Sequence, residues 1–138
     1  MKAPRLAYVV EDDRITATIT ELIAKKDLRC RTVQTFGNGQ QAFDKLAAAV
    51  SDKASIPDLI LLDLNMPLMD GWEFLDAFDN LPLTQSVCVF VLTSSIHPDD
   101  MKKAAHYQVV KGYFSKPLDN PNVARMKTLL REFGIYHY

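Results

Sequence analysis

Cysteine is scarce in this chain: 138 residues hold two, Cys30 and Cys88, in separate apolar segments and without metal-type spacing. That excludes a disulfide-stapled secreted scaffold and a cysteine metal site, and reads as two buried, reduced thiols. An excess of one charge is also lacking. Sixteen Lys plus Arg stand against seventeen Asp plus Glu, a formal net charge of −1, so the basic footprint of a nucleic-acid binder is missing. Apolar runs stay within a few residues, as in Leu59-Ile60-Leu61-Leu62, far short of the ~20 residues a membrane helix needs. The start, Met1-Lys2-Ala3-Pro4-Arg5, passes through a short apolar stretch into Glu11-Asp12-Asp13, which is not a secretory leader. Neither an internal repeat nor a low-complexity tract occurs. These absences, with an ordinary soluble mix of 48% apolar and 24% charged residues, predict one cytoplasmic domain bound to neither nucleic acid nor membrane. Its core is expected over about residues 5–133, with a short apolar tail at 134–138.

What is there is alternation. Leu6 to Val10 is an apolar run without helical spacing, as suits a strand buried on both faces. Ile15, Ile19, Leu22 and Ile23 recur at helical intervals and predict an amphipathic helix ending near Lys26. Cys30 to Phe36 reads as a second strand, Gly37-Asn38-Gly39 as a break, and Ala42, Phe43, Leu46 and Ala47 as one side of a second helix. Leu59 to Leu62 follows as a strand, then a helix with Trp72, Leu75 and Phe78 inward. Val87 to Leu92 makes a fourth strand, and Pro98-Asp99-Asp100 the first turn of a thinly apolar helix offering Met101, Ala104 and Ala105. Gly112 to Ser115 is a short fifth strand, and Val123, Met126, Leu130 and Phe133 stripe a last helix stopped by Gly134. Five strands alternating with five helices predict βαβ units, hence an α/β doubly wound parallel sheet. Ligands then bind along the edge formed by the carboxyl ends of the strands.

At those ends stand Glu11, Asp12 and Asp13, then Asp63 with Asn65 two residues on, then Thr93 with Ser94 and Ser95, then Lys116 before Pro117. Taken singly, each is an ordinary cap, turn or surface residue. Together they suit phosphoryl transfer to a carboxylate with magnesium. Mg2+ prefers oxygen ligands, which Asp12, Asp63, the Asn65 backbone carbonyl and, through water, Glu11 would supply. Asp63 is then the nucleophile, while Lys116 and the Thr93 hydroxyl would meet phosphoryl oxygens. Asp13 is read as a helix cap.

The elements Val9-Val10-Glu11-Asp12-Asp13, Asn38-Gly39, Pro57 through Asp63, Asn65 through Gly71, Leu92-Thr93-Ser94 and Gly112 through Pro117 span nearly the whole chain. In order and spacing this set resembles the receiver domain of two-component response regulators, of the stand-alone, CheY-like kind. The resemblance implies a flavodoxin-like sheet of order 2-1-3-4-5 and phosphorylation at Asp63 by a sensor histidine kinase or histidine phosphotransfer protein. It implies Asp12 and Asp63 as direct magnesium ligands, Lys116 as the phosphate-pairing lysine and Pro117 as a cis-proline. Thr93 would be the switch hydroxyl, Tyr113 the aromatic switch rotating inward from the surface, and Asn65 and Ser95 the positions governing phosphate lifetime. Such a protein is a signalling switch rather than an enzyme, apart from its self-phosphorylation and autodephosphorylation. The stretch Ala48 to Ile56 is longer than the family's usual link.

Other readings fit worse. A haloacid-dehalogenase-like phosphatase wants a second Asp where Asn65 stands. A flavin binder would not open its first helix with three acids, which repel phosphate. A receiver-shaped module that never takes phosphate usually lacks an acid, the threonine or the lysine. With about five residues beyond the last helix, no effector domain is expected, and output falls to docking of an unknown downstream protein on the fourth helix, fifth strand and fifth helix. Lys102, Lys103, His106, Tyr107 and Lys111 lie on that side. For the tail Ile135-Tyr136-His137-Tyr138, packing on the last helix and a homodimer contact both stay open.

Overall fold

The computed structural model describes residues 3–83, 85–94 and 97–134. Among them five strands form: β1 Leu6–Val10, β2 Thr32–Phe36, β3 Leu59–Asp63, β4 Cys88–Thr93 and β5 Val110–Ser115. Five α-helices alternate with these: α1 Arg14–Lys26, α2 Gly39–Ala48, α3 Gly71–Asp79, α4 Pro98–Ala105 and α5 Asn120–Glu132. All pairings are parallel, in the order β2-β1-β3-β4-β5. Every residue of β1, β3 and β4 is buried, which is why these segments read as apolar runs rather than alternating patterns. Tyr8, Val10, Ile60, Leu62, Val89 and Val91 pack under Ala42, Leu46, Phe74 and Leu75 on one face. On the other, Val9, Leu61, Phe90 and Leu92 meet Ala24, Val123, Met126 and Leu130.

Short polar side chains start the helices. Asp13 accepts from Thr16 N at 2.9 Å, Asn38 from Gln41 N at 2.8 Å and Asp119 from Asn122 N at 2.9 Å. Asp70 and Glu73 form a reciprocal capping box. Each cap is worth about 1 kcal/mol. The long link into β3 closes as a 3-10 turn at Lys53–Ser55, held by Arg5, whose Nη2 donates to Ile56 O at 2.9 Å and whose Nη1 donates to Ala54 O.

Helix faces differ from the expected ones in several places. On α1, Ile15, Ile19 and Leu22 are 73%, 51% and 48% exposed, while Thr20 and Ala24 are buried. Thr20 and Ala24 also share one face at helical spacing, and their small size lets α1 approach the sheet closely. On α2, Ala47 is exposed and Ala49, just past the helix, is buried. On α3, Phe74 is wholly buried and Trp72 only partly. Of the α4 candidates only Ala104 is buried. The fifth strand starts at Val110, two residues earlier than expected, and a register shift lies between Val89 and Phe90 in its pairing with β4. Phe133 is 45% exposed, and Gly134 ends α5 at φ 75°. The tail 135–138 lies outside the described residues.

Candidate functional site

Parallel register decides what meets at the sheet edge. Val10 pairs with Leu62, Asp63 with Leu92 and Thr93 with Ser115, so the residues ending β1, β3, β4 and β5 converge. Lys116 is placed by its backbone N–H, which donates to Thr93 O at 2.7 Å. Its ammonium reaches back across the edge, 2.6 Å from Glu11 Oε1 and 3.2 Å from Asp63 Oδ1. The Lys116–Pro117 peptide bond is cis. Glu11 and Asp63 are buried and Asp12 is exposed, and their carboxylate oxygens lie within 4.8 Å of one another.

Glu11 and Asp63 share the Lys116 ammonium while Asp12 adds a third carboxylate beside them, and the electrostatics record the imbalance. Burial pushes Glu11 up to about 7, helped by the charge of Asp63 and opposed by the hydrogen bond from Lys116. For Lys116, burial works against the ammonium, but the Glu11 hydrogen bond and the Asp63 charge outweigh it and raise its pKa. Oxygen-only donors with surplus negative charge fit a hard divalent cation. Asp13 takes no part in this set; its carboxylate caps α1 and is held low by hydrogen bonds from the Thr16 side chain and backbone.

The loop from Leu64 to Asp70 borders the acids. Asn65 is exposed there, its N–H donating to Asp63 Oδ1 at 3.4 Å. Gly71 closes the loop by donating to Leu64 O at 2.9 Å, and a Cβ on Gly71 would fall 2.7 Å from Asp63 O. At its tip Leu68 is 81% exposed with φ 68°. Across the site Thr93 is buried and hydrogen-bonded to the Tyr113 side chain. Tyr113 is therefore not the surface ring expected: it is half-buried and packs on the core. Burial and the charge of Asp100 raise its pKa against the Thr93 hydrogen bond. Ser95, the other expected lifetime position, lies outside the described residues.

Beside Lys116 a cleft of about 310 Å3 is lined by Thr16, Ile19, Thr20, Ser94, Pro117 and Leu118. Periodicity alone does not reveal it: of the stripe Ile15, Ile19, Leu22 and Ile23, only Ile23 packs against the core, and the other three face solvent. The competing small-residue face at Thr20 and Ala24 was the available signal.

A parallel sheet of this order, with paired acids, a buried threonine and a lysine at its carboxyl edge, defines a flavodoxin-like domain with an acidic site at that edge. Residues 7–127 match the family model of the response regulator receiver domain, and the chain belongs to that family. It is similar to the crystal structure of a two-component response regulator from Cytophaga hutchinsonii (TM-score 0.81, 28% identity, 95% of this chain and 99% of that one). It is also similar to the response regulator Rcp1 of Synechocystis, 27% identical over 96% of this chain and 90% of that protein. The Mn2+-bound form of Rcp1 superposes with a TM-score of 0.73 at 26% identity, covering 98% and 97% of the two chains. The phosphorylated cyanobacterial phytochrome response regulator RcpA does so with a TM-score of 0.73 at 28% identity, covering 98% of each. Receivers bind a divalent metal at an acidic pocket, and the Glu11-Asp12-Asp63 cluster is such a pocket. Among the described residues no helix is long and apolar enough to cross a membrane.

Proposed function

We propose that Asp63 accepts a phosphoryl group from the phosphohistidine of a sensor kinase or phosphotransfer protein, with Mg2+ bound, and that this changes docking of a downstream protein on α4, β5 and α5. The observation that carries the reading is the Lys116 ammonium shared between Glu11 and Asp63. A buried carboxylate with a cation already at its oxygen is poised to become an acyl phosphate whose new charge is met on arrival. The Asp63 carboxylate attacks phosphorus, an O–P bond forms, and the N–P bond of the donor breaks with its electron pair returning to the imidazole. Asp12, Asp63, the Asn65 carbonyl and, through water, Glu11 would hold Mg2+, which would supply further charge neutralisation. Hydrolysis by water returns the carboxylate. Asn65 and Ser95 flank that step and are read as setting the phosphate lifetime.

The switch follows from hydrogen-bond capacity. A threonine hydroxyl has one proton to donate. The hydroxyl is hydrogen-bonded to Tyr113 here; drawn away to donate to a phosphoryl oxygen, it frees Tyr113 and with it β5 and the thinly anchored α4. The protein acts as a switch in the cytoplasm and not as an enzyme on other substrates. The exposed Ile15, Ile19 and Leu22 on α1, continuous with the cleft at Lys116, suit an apolar helix that carries the donor histidine to Asp63. Of the cations on the output side, Lys103 lies over Trp72 and Lys111 over Phe133, which fixes where those charges stand.

Incubation with acetyl phosphate and magnesium, followed by intact mass, tests the reading. One added phosphate is expected, lost in Asp63→Asn and suppressed by a chelator. A chain that stays unmodified is instead an interaction module, and the reading fails.

A further inference from the structure

The start of α2 comes unusually close to the loop beside the acids. Gly39 N donates to Met69 O at 3.1 Å, and a Cβ on Gly39 would stand 2.4 Å from that same oxygen and 3.1 Å from Met69 Cγ. Any side chain at 39 must therefore push backbone against backbone. Which side gives way is decided by packing: α2 is fixed by Ala42 and Leu46, both fully buried, and by the Asn38 cap. The loop is held less densely: Met66 is buried and Met69 packs against the core, but Pro67 and Leu68 between them stand in solvent. Its far end cannot absorb the push, since Gly71 is pinned against Asp63 O and Leu64. The displacement must be taken up between Asn65 and Asp70.

We infer that Gly39 is a positioning residue for the metal site, holding the loop so that the Asn65 carbonyl stays within magnesium's reach. The inference rests on the magnesium reading above. Its force comes from the difference between two ions. Mg2+ demands near-ideal octahedral oxygens at about 2.0–2.1 Å, whereas Ca2+ accepts irregular shells at about 2.3–2.6 Å. Relieving the contact to an ordinary separation moves the loop by more than half an ångström, beyond what magnesium tolerates and within what calcium does. Gly37, two residues earlier, would meet only Gln41 Oε1 at 4.0 Å if given a Cβ, and makes no such contact with the loop.

Calorimetric titration of the parent, Gly39→Ala and Gly37→Ala with MgCl2 and with CaCl2 tests this. In Gly39→Ala the magnesium affinity is expected to fall about tenfold or more, the usual cost of losing support behind a metal ligand. Calcium affinity falls less, so the preference moves toward calcium; Gly37→Ala keeps parental affinity for each ion. If Gly39→Ala does not fold, Gly39→Ala/Leu68→Gly gives the loop backbone room to yield, and the same shift is expected there. Parental magnesium affinity in a folded variant, or an equal loss for the two ions, overturns the inference while leaving the site reading intact. A parent that binds neither ion overturns the site reading itself.

Discussion

The indole of Trp72 on α3 and the phenol of Tyr107 just past α4 lie stacked, their centroids 6.3 Å apart and their planes 28° from parallel. Lys103 Nζ sits 4.4 Å over the same indole, and the Tyr107 hydroxyl donates to Asp76 on α3. With Ala104 as the sole buried residue of α4, this cluster is a principal anchor of that helix. A Trp72→Leu/Tyr107→Leu double-mutant cycle is expected to give a coupling of about 0.5–1.5 kcal/mol by urea unfolding. Because Trp72 is the only tryptophan, its emission reports the contact directly and is expected to shift in Tyr107→Leu. Additive losses with unchanged emission would show that the rings do not hold the helix.

The same tyrosine predicts an alkaline signature. Burial, then the hydrogen bond to Asp76 and the charges of Asp76 and Asp79, push its phenol up from 10.0 to about 12. The raised group favours the fold in its neutral form, so its contribution is complete below pH 10 and is lost as pH rises through about 12. Parent and Tyr107→Phe should therefore differ by a constant amount in stability up to about pH 10 and converge above it. A gap that persists at high pH would mean that the hydroxyl's contribution does not depend on its proton, so that the bond it donates to Asp76 is not what carries the effect.

Much of this was legible in the sequence. Strands buried on both faces announce themselves as short apolar runs, and one sheet order then brings Glu11, Asp63, Thr93 and Lys116 together. What misled was α1, where Ile15, Ile19 and Leu22 and the alternative Thr20 and Ala24 both satisfy helical spacing. Periodicity finds a stripe but not which stripe the sheet accepts. Contacts between loops, such as that of Gly39 with Met69, leave no local pattern beyond the glycine.

Leu68 shows where the loop stores strain. A leucine at φ 68° occupies the left-handed region at a cost of about 1–2 kcal/mol, and with its side chain 81% exposed little packing offsets that. Leu68→Gly removes the strain while loosening the unfolded chain, so a net gain of about 1 kcal/mol or somewhat less is expected. Thermal unfolding in the presence of a chelator measures it without metal. A lower melting temperature would mean that the leucine side chain makes a stabilising contact despite its exposure.

The α1 stripe separates folding from docking. Ile15, Ile19 and Leu22 lie mostly in solvent, so replacing all three with serine should change stability by little, each substitution falling within about 0.5 kcal/mol. A small phosphodonor needs no docking surface, and acetyl phosphate should modify the triple variant at the parental rate. A protein donor does need one. Transfer from a phosphorylated histidine protein is expected to slow by about tenfold for each 1.4 kcal/mol of lost contact energy, read as the rate of label transfer to Asp63. Equal transfer rates in parent and variant would move the docking surface elsewhere. A parallel loss with acetyl phosphate would mean that the stripe shapes the acceptor site itself.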